Sequence, residues 1–329
     1  MLKEFKTFID CGAPSLYNRL SRKSGNIGVM GASFKDRKYD DYSYTESKEY
    51  QIYRDTYIQY LLDNKGRYDH CSNLDVINNP VLTYKNQRIL EEAGLNPIPV
   101  FHLGNDPKWL KRYIDRYEYV ALGGLVPNTT SQLIPILDKL FSEYLIDSDG
   151  FPKVKLHGFA CTSLPLMIRY PWYSVDSTTC RKLAMYGSVI IPNGKKKVSV
   201  IDVSTRDNAI EALFRPKEIE ALEKRFSKTY ALDFHEMQKS VMLRVIWNYL
   251  LFSEMIHCNV PAWPWSFSSR KTKGLEYLTY YLAGSFSKKE EYFFWETIEE
   301  FSFISKSLGR LQSFFYKNSV ETILNIRNV

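Results

Sequence analysis

The chain lacks most of the marks of a secreted, membrane-bound or metal-holding protein. Its five cysteines (Cys11, Cys71, Cys161, Cys180, Cys258) lie far apart with no C-x-x-C pair, so neither a disulfide framework nor a zinc ribbon can be read from them. Met1-Leu2-Lys3-Glu4-Phe5-Lys6 has no signal-peptide apolar core, and the most apolar stretch, around Val245 to Phe252, is too short to span a bilayer. A cytoplasmic protein with free thiols and no membrane partner is the expectation. No G-x-x-x-x-G-K-[ST] or G-x-G-x-x-G loop is present to cradle phosphates, which disfavours nucleotide hydrolysis and dinucleotide redox chemistry. Histidines number five in 329 residues and form no H-x-x-x-H pair or His/Cys cluster, so no metal ligand set and no zinc site are expected. Internal repeats and low-complexity tracts are also missing.

What is there suffices for a large core: 44% of residues are hydrophobic and 15% aromatic, which excludes a disordered chain. Lys plus Arg exceed Asp plus Glu by 44 to 37, a net charge of +7 that suits a polyanionic partner and equally fits an ordinary enzyme.

From residue 5 to about 205, short apolar runs alternate with helical patterns, the signature of repeated βα units and a parallel sheet. Candidate strands are Lys6–Cys11, Tyr68–Ile77, Ile98–Leu103, Tyr119–Leu125, Val154–Ala160, Tyr173–Ser177, Ser188–Pro192 and Val198–Val203. The set matches an α/β fold of the (β/α)8 TIM-type barrel class. Between them, Tyr50, Tyr53, Tyr57 and Leu61 share a helix face ending near Gly66, and Leu82, Ile89, Leu90 and Ala93 share the next, stopped by Gly94. Asp106-Pro107 reads as an N-cap and first helical position, and Thr129 or Thr130 opens a helix that buries Leu133, Leu137, Leu140 and Tyr144. Residues 20–46, rich in Ser, Gly, Lys, Arg, Asp and Tyr, interrupt the rhythm and read as a lid or substrate-contacting loop. The expected division is a barrel core over 1–206 and an α-helical C-terminal extension over 207–329, which completes the barrel and is a candidate nucleic-acid contact, with helical segments at 274–283 and 302–327 among others.

In such a barrel, polar residues at strand C-terminal ends are chemically placed. Asp10 ends Phe8-Ile9-Asp10, Asp176 ends Tyr173-Ser174-Val175-Asp176, and Asp75 sits in Asn73-Leu74-Asp75-Val76-Ile77. An N-cap ahead of Ser177-Thr178-Thr179 also accounts for Asp176, and a turn before Gly12 for Asp10. Asp75 is harder to explain that way, because a carboxylate within an apolar strand needs a partner. Gly123 and Gly124 end another strand and let backbone approach a ligand, although paired glycines also occur at βα turns for steric reasons. His102 and His157 stand at two further strand ends.

These residues resemble, in order over about 5–192, the tRNA-guanine transglycosylase superfamily, and within it the bacteriophage 7-deazaguanine DNA transglycosylases. The similarity is carried by Phe8-Ile9-Asp10-Cys11-Gly12-Ala13, Asn73-Leu74-Asp75-Val76-Ile77, the run from Asn86 to His102, Leu122-Gly123-Gly124-Leu125, His157-Gly158-Phe159-Ala160 and Ser174-Val175-Asp176-Ser177-Thr178-Thr179. The resemblance implies that Asp176 is the nucleophile, Asp10 the general acid/base and Asp75 the carboxylate that binds the base's amide and amino edge. It implies base contacts from Gly123, Gly124 and Leu125, with His102 where tRNA enzymes carry a base-binding glutamine, and His157 beside them. Those tRNA enzymes hold a C-terminal zinc between three cysteines and a histidine; this chain has no such cluster, which favours DNA over tRNA and leaves a homodimer open. Cys11 and Pro14 also replace the serine and aromatic residue of the first motif.

The implied reaction is a retaining double displacement without cofactor, in which a 7-deazaguanine such as 7-cyano-7-deazaguanine is the co-substrate. Its target base must be flipped out or single-stranded. Arg181, Lys182, Lys195, Lys196, Lys197, Arg270 and Lys271 are candidates for phosphate contact, and Trp263 and Trp265 for stacking, against the plainer readings of a solvated hairpin tip and a packed corner. The rival readings are the same chemistry on tRNA, a nucleic-acid-binding barrel without catalysis, and a metal-dependent barrel hydrolase. A phage-encoded enzyme would work in its host's cytoplasm.

Overall fold

A computed structural model describes residues 7–23, 42–126, 128–161, 163–192, 198–204, 216–230, 233–257, 265–266, 279–283 and 321–325. Most of the expected lid, Lys195, Lys196, Lys197, Arg270, Lys271 and Trp263 lie outside the described residues. The protein is a mixed α/β structure in two compact units: Met1–Asp176 with Pro261–Ser285 and Val320–Val329, and Ser177–Val260 with Phe286–Ser319.

The first unit alternates strand and helix: β1 (Thr7–Asp10), α1 (Ala13–Lys23), α2 (Lys48–Asp63), β2 (His70–Cys71), α3 (Pro80–Glu92), β3 (Val100–His102), α4 (Pro107–Ile114), β4 (Tyr119–Gly123), α5 (Thr130–Leu140), β5 (Lys155–Gly158), α6 (Leu164–Arg169) and β6 (Ser174–Ser177). In the second unit follow α7 (Thr179–Met185), β7 (Ser188–Pro192), β8 (Val198–Asp202), α8 (Pro216–Tyr230), α9 (Phe234–Lys239) and α10 (Val241–His257); the first unit resumes with β9 (Thr279–Ala283) and β10 (Glu321–Asn325). Eight strands form one sheet in the order β2-β1-β10-β9-β6-β5-β4-β3, and every pairing with a described register is parallel. A parallel bridge joins Ser72, just after β2, to Ile98, just before β3, with Asn73 N–H donating to the Ile98 carbonyl at 3.0 Å and Ile98 N–H to that of Cys71 at 2.8 Å.

Two expectations change here. The runs at 188–192 and 198–202 are not members of the large sheet: they pair with each other in an antiparallel ladder. The seventh and eighth strands come from 279–283 and 321–325, where the periodicity suggested helix, so the first unit draws on the C-terminal third and the break falls after Asp176, not at 206. A five-residue apolar run does not distinguish a buried strand from a helix turn; its hydrogen-bond partners decide.

The helix signals translate into caps. Ser47 accepts from Tyr50 N–H at the start of α2, Asn79 from Leu82 N–H ahead of Pro80, and Asp106 from Lys108 N–H ahead of Pro107; Thr129 and Gln132 form a reciprocal capping box. In α2 the buried face is Tyr50, Tyr53, Tyr57 and Leu61, as the spacing predicts. In α3 it is Thr83, Asn86, Gln87 and Leu90, a largely polar set. Those polar groups satisfy backbone that no ladder reaches: Asn86 donates to the Leu74 carbonyl at 2.7 Å, Gln87 to that of Pro97 at 2.8 Å, and Val76 N–H donates to Thr83 Oγ1 at 2.9 Å. In the second unit, Asn248 of α10 accepts from Ile190 N–H at 2.8 Å, and buried Arg244 donates to the Ala184, Met237 and Gln238 carbonyls, which ties α10 to β7 and to α7.

Candidate active site

The residues singled out in the sequence converge at the C-terminal ends of the first unit's strands. Asp10 is the last residue of β1, His102 of β3 and Gly123 of β4; His157 lies in β5 and Asp176 in β6. Asp75 is not within a strand: β2 stops at Cys71, and residues 73–76 form an irregular segment held by the polar face of α3. The tyrosines of α2 serve the same loops, with Tyr53 donating to the Cys11 carbonyl at 2.6 Å and Tyr57 to that of Ser72 at 2.7 Å.

Around Asp75 the partners that a buried carboxylate requires are protein groups. Cys11 Sγ lies 3.2 Å from Oδ1 and His102 Nε2 2.8 Å from Oδ2. The ring proton of His102 is assigned to Nε2 because Nδ1 accepts from Asn78 N–H at 3.3 Å. Burial, then the charges of Asp75 and Asp10, push the Cys11 thiol well above its ordinary range and keep it an S–H donor. Cysteine therefore does in this first motif what a hydroxyl would do.

Asp10 is a buried carboxylate close to the charges of the other two. Desolvation first, then the charges of Asp176 and Asp75, raise its pKa from 3.8 to about 7, against the lowering effect of the Gly12 and Cys11 backbone N–H groups. All three carboxylates thus share one field, and a pKa near 7 lets Asp10 hold or release a proton close to neutrality. Asp176 Oδ1 accepts from Ala160 N–H at 2.8 Å and lies 3.3 Å from His157 Nε2, which approaches it off the hydrogen-bond line.

Only Asn78 and Ala160 among described non-glycine residues have positive φ, 60° and 50°. One aims its N–H at His102 and the other at Asp176. Strain of about 1 kcal/mol for such a residue persists only where surrounding contacts enforce it. No spacing rule signals this pair.

No family model, no curated protein and no solved structure matches this chain.

The histidines sit differently from the expectation that both touch a base. His157 is fully enclosed, stacked on Phe8 with centroids 4.8 Å apart and edged by Phe159 at 4.5 Å, so its ring presents no face to a ligand. His102 is nearly as buried and lies against Gly123, where an added Cβ would come within 2.4 Å of the ring. Gly123 is thus a glycine to make room for imidazole. The Gly123 carbonyl accepts from Leu103 N–H at 3.0 Å, and those of Gly124 and Leu125 from the Asn128 side chain at 3.1 and 3.4 Å.

Of the basic candidates, Arg181 and Lys182 are described; both lie on α7 of the second unit, Arg181 half-buried and Lys182 exposed. Trp265 is a packed corner, its ring N–H donating to the Arg169 carbonyl at 2.8 Å beside Phe141 and Tyr170. Helix α4, which follows β3 directly, carries a basic face that the sequence reading passed over. Lys108, Lys111 and Arg112 are exposed on it, and Arg116 just beyond its end; Lys108 pairs with Asp106 and Arg116 with Glu91, whereas Arg112 lies 5.0 Å over both Tyr84 and Trp109 and Lys111 5.4 Å over Tyr144. Among the described residues no group of three or more His, Cys, Asp or Glu is placed to hold a metal, and no helix is long and apolar enough to cross a membrane.

Proposed function

We propose that this protein is a pentosyltransferase that exchanges guanine in DNA for a 7-deazaguanine base, on a sheet closed as a (β/α)8 barrel. The Ser72–Ile98 bridge between the two ends of the strand order supports that closure. The observation that carries the reaction is the cluster of three carboxylates, Asp10 and Asp176 on strand C-terminal ends and Asp75 on the segment after β2, in which burial and the charges of the other two push Asp10 up to about 7.

Asp176 attacks C1′ as the C1′–N9 bond breaks, and Asp10 gives its proton to the departing guanine. The carboxylate so formed takes the N9 proton of the incoming base, whose nitrogen then displaces Asp176. A pKa near 7 suits a group that must serve as acid and then as base. Asp75, already braced by Cys11 and His102, has lone pairs left to accept from a base's amide and amino edge. The Gly123 and Gly124 carbonyls each accept one hydrogen bond and keep a second lone pair for a base. The basic, aromatic-backed face of α4 begins at the carboxylate end of the strands and suits a phosphate backbone.

Incubation with a guanine-containing DNA oligonucleotide and 7-cyano-7-deazaguanine, followed by nucleoside mass spectrometry, tests the reading. Modified deoxynucleoside from the wild type and none from Asp176→Ala is the expected result. Product on tRNA alone would move the reaction to RNA, and no product on either would reject base exchange.

A further inference from the structure

Asp176 offers its two oxygens unequally. Oδ1 accepts from Ala160 N–H at 2.8 Å and is faced by His157 Nε2 at 3.3 Å, whereas Oδ2 has no partner among the described residues. The Ala160 peptide is held in a left-handed conformation at φ 50° to make that bond. His157 has little freedom: Phe8 and Phe159 enclose its ring, and its Nδ1 lies 2.6 Å from Ser174 Oγ, which is itself bonded to the Tyr119 hydroxyl. A lone pair at Nε2 would face the Asp176 carboxylate and repel it, so the favoured arrangement has Nε2 protonated. Ser174 then donates to Nδ1, and Tyr119 donates to Ser174.

We infer that Asp176 attacks through Oδ2, and that His157 is a positioning residue, set by Ser174 and Tyr119, that with the Ala160 N–H stabilises charge on Oδ1. This inference rests on the glycosyl-transfer reading. In the first displacement an Oδ2 lone pair bonds to C1′ while the C1′–N9 pair leaves with the base, which takes the Asp10 proton. Oδ1 becomes the carbonyl oxygen of the glycosyl ester, and its two facing donors lose most of their electrostatic partner. In the second displacement N9 of the incoming base, having lost its proton to Asp10, bonds to C1′; the C1′–Oδ2 pair returns to Asp176, and half of the regained charge falls on Oδ1. Donors fixed where charge develops favour the second step over the first, because they stabilise the leaving carboxylate and blunt the attacking one.

Four variants test it: His157→Phe, which keeps an aromatic ring between Phe8 and Phe159; His157→Gln, which retains an N–H near Nε2; Ser174→Ala; and Tyr119→Phe. Single-turnover adduct formation with an oligonucleotide and adduct breakdown on adding 7-cyano-7-deazaguanine are followed on denaturing gels, with melting temperature as the check on folding. For a donor approaching off-line, His157→Phe is expected to slow breakdown about tenfold more than formation, so that adduct accumulates in turnover. His157→Gln is expected to restore the ratio, with Ser174→Ala and Tyr119→Phe intermediate. Equal slowing of both steps, or an unchanged ratio, would overturn the role of His157. Independently of activity, nitrogen-15 spectra of the imidazoles are expected to place the His157 proton on Nε2 and to shift in Asp176→Ala; a proton on Nδ1 would overturn the inference. Wild type that forms no adduct with either nucleic acid, yet has the Nε2 proton, would refute the glycosyl-transfer reading while leaving the His157–Asp176 pairing standing.

Discussion

The burial of Asp10 beside two other carboxylates makes its ionised form a cost to stability. Its pKa of about 7 in the folded chain, against 3.8 for an ordinary aspartate, means that between those values the folded state holds a proton that the unfolded state has lost. Stability is therefore fully present below pH 3.8, falls as pH rises through that window and levels off above about 7. Asp10→Asn cannot ionise, so its melting temperature relative to wild type is expected to rise between pH 5 and pH 8, a gain on the order of 2 kcal/mol at the upper end. Base exchange in the same variant is expected to fall at least 100-fold, on the order of one lost general acid/base. Equal melting differences at the two pH values would mean that Asp10 carries no proton in the fold. The carboxylates at residues 10, 75 and 176 were legible in the sequence because Asp10 and Asp176 end strand-like runs and Asp75 stands among apolar neighbours. The bond from Ala160, the clasp of Cys11 on Asp75 and the enclosure of His157 were not, since each joins residues from distant segments of the chain.

At the level of the element, β4 shows the steric reason for a glycine. Gly123 reads from sequence as a place where backbone meets ligand, but the neighbour that fills its missing side chain is His102 of β3, paired to it in the parallel register. Gly123→Ala would drive a methyl into the buried His102 ring. We expect a stability loss of about 1–3 kcal/mol, as for overpacking of a core site, together with displacement of His102 from Asp75. A raised KM for the incoming base with a small change in adduct formation would place the defect in base binding; unchanged KM would detach His102 from that task. Helix α3 makes a related point. Its periodicity announces a helix correctly, yet its inner face is Thr83, Asn86 and Gln87, because the loop it covers carries peptide groups that need partners.

For the molecule as a whole, a net charge of +7 says only that a polyanion is a plausible partner, while the arrangement of helix α4 says where one could lie. Lys111 and Arg112 are exposed, stand over aromatic rings and have no carboxylate partner among the described residues. Reversing both charges, Lys111→Glu with Arg112→Glu, is expected to weaken oligonucleotide binding at least tenfold near physiological salt and to flatten the dependence of log K on log salt. Fluorescence anisotropy across a salt series measures both; an unaltered slope would remove α4 from the interface. The sequence by itself determined the βα alternation, the caps at Asp106 and Thr129 and the strand ends at Asp10 and Asp176, because those depend on residues within a few positions of one another. Tertiary structure decided that 188–192 and 198–202 pair as a separate antiparallel ladder, and that 279–283 and 321–325 enter the main sheet. It also decided which nitrogen, thiol and peptide N–H reach the carboxylates. Strand pairing and hydrogen bonding across distant segments are settled by which partner satisfies a backbone group, and no local pattern encodes that choice.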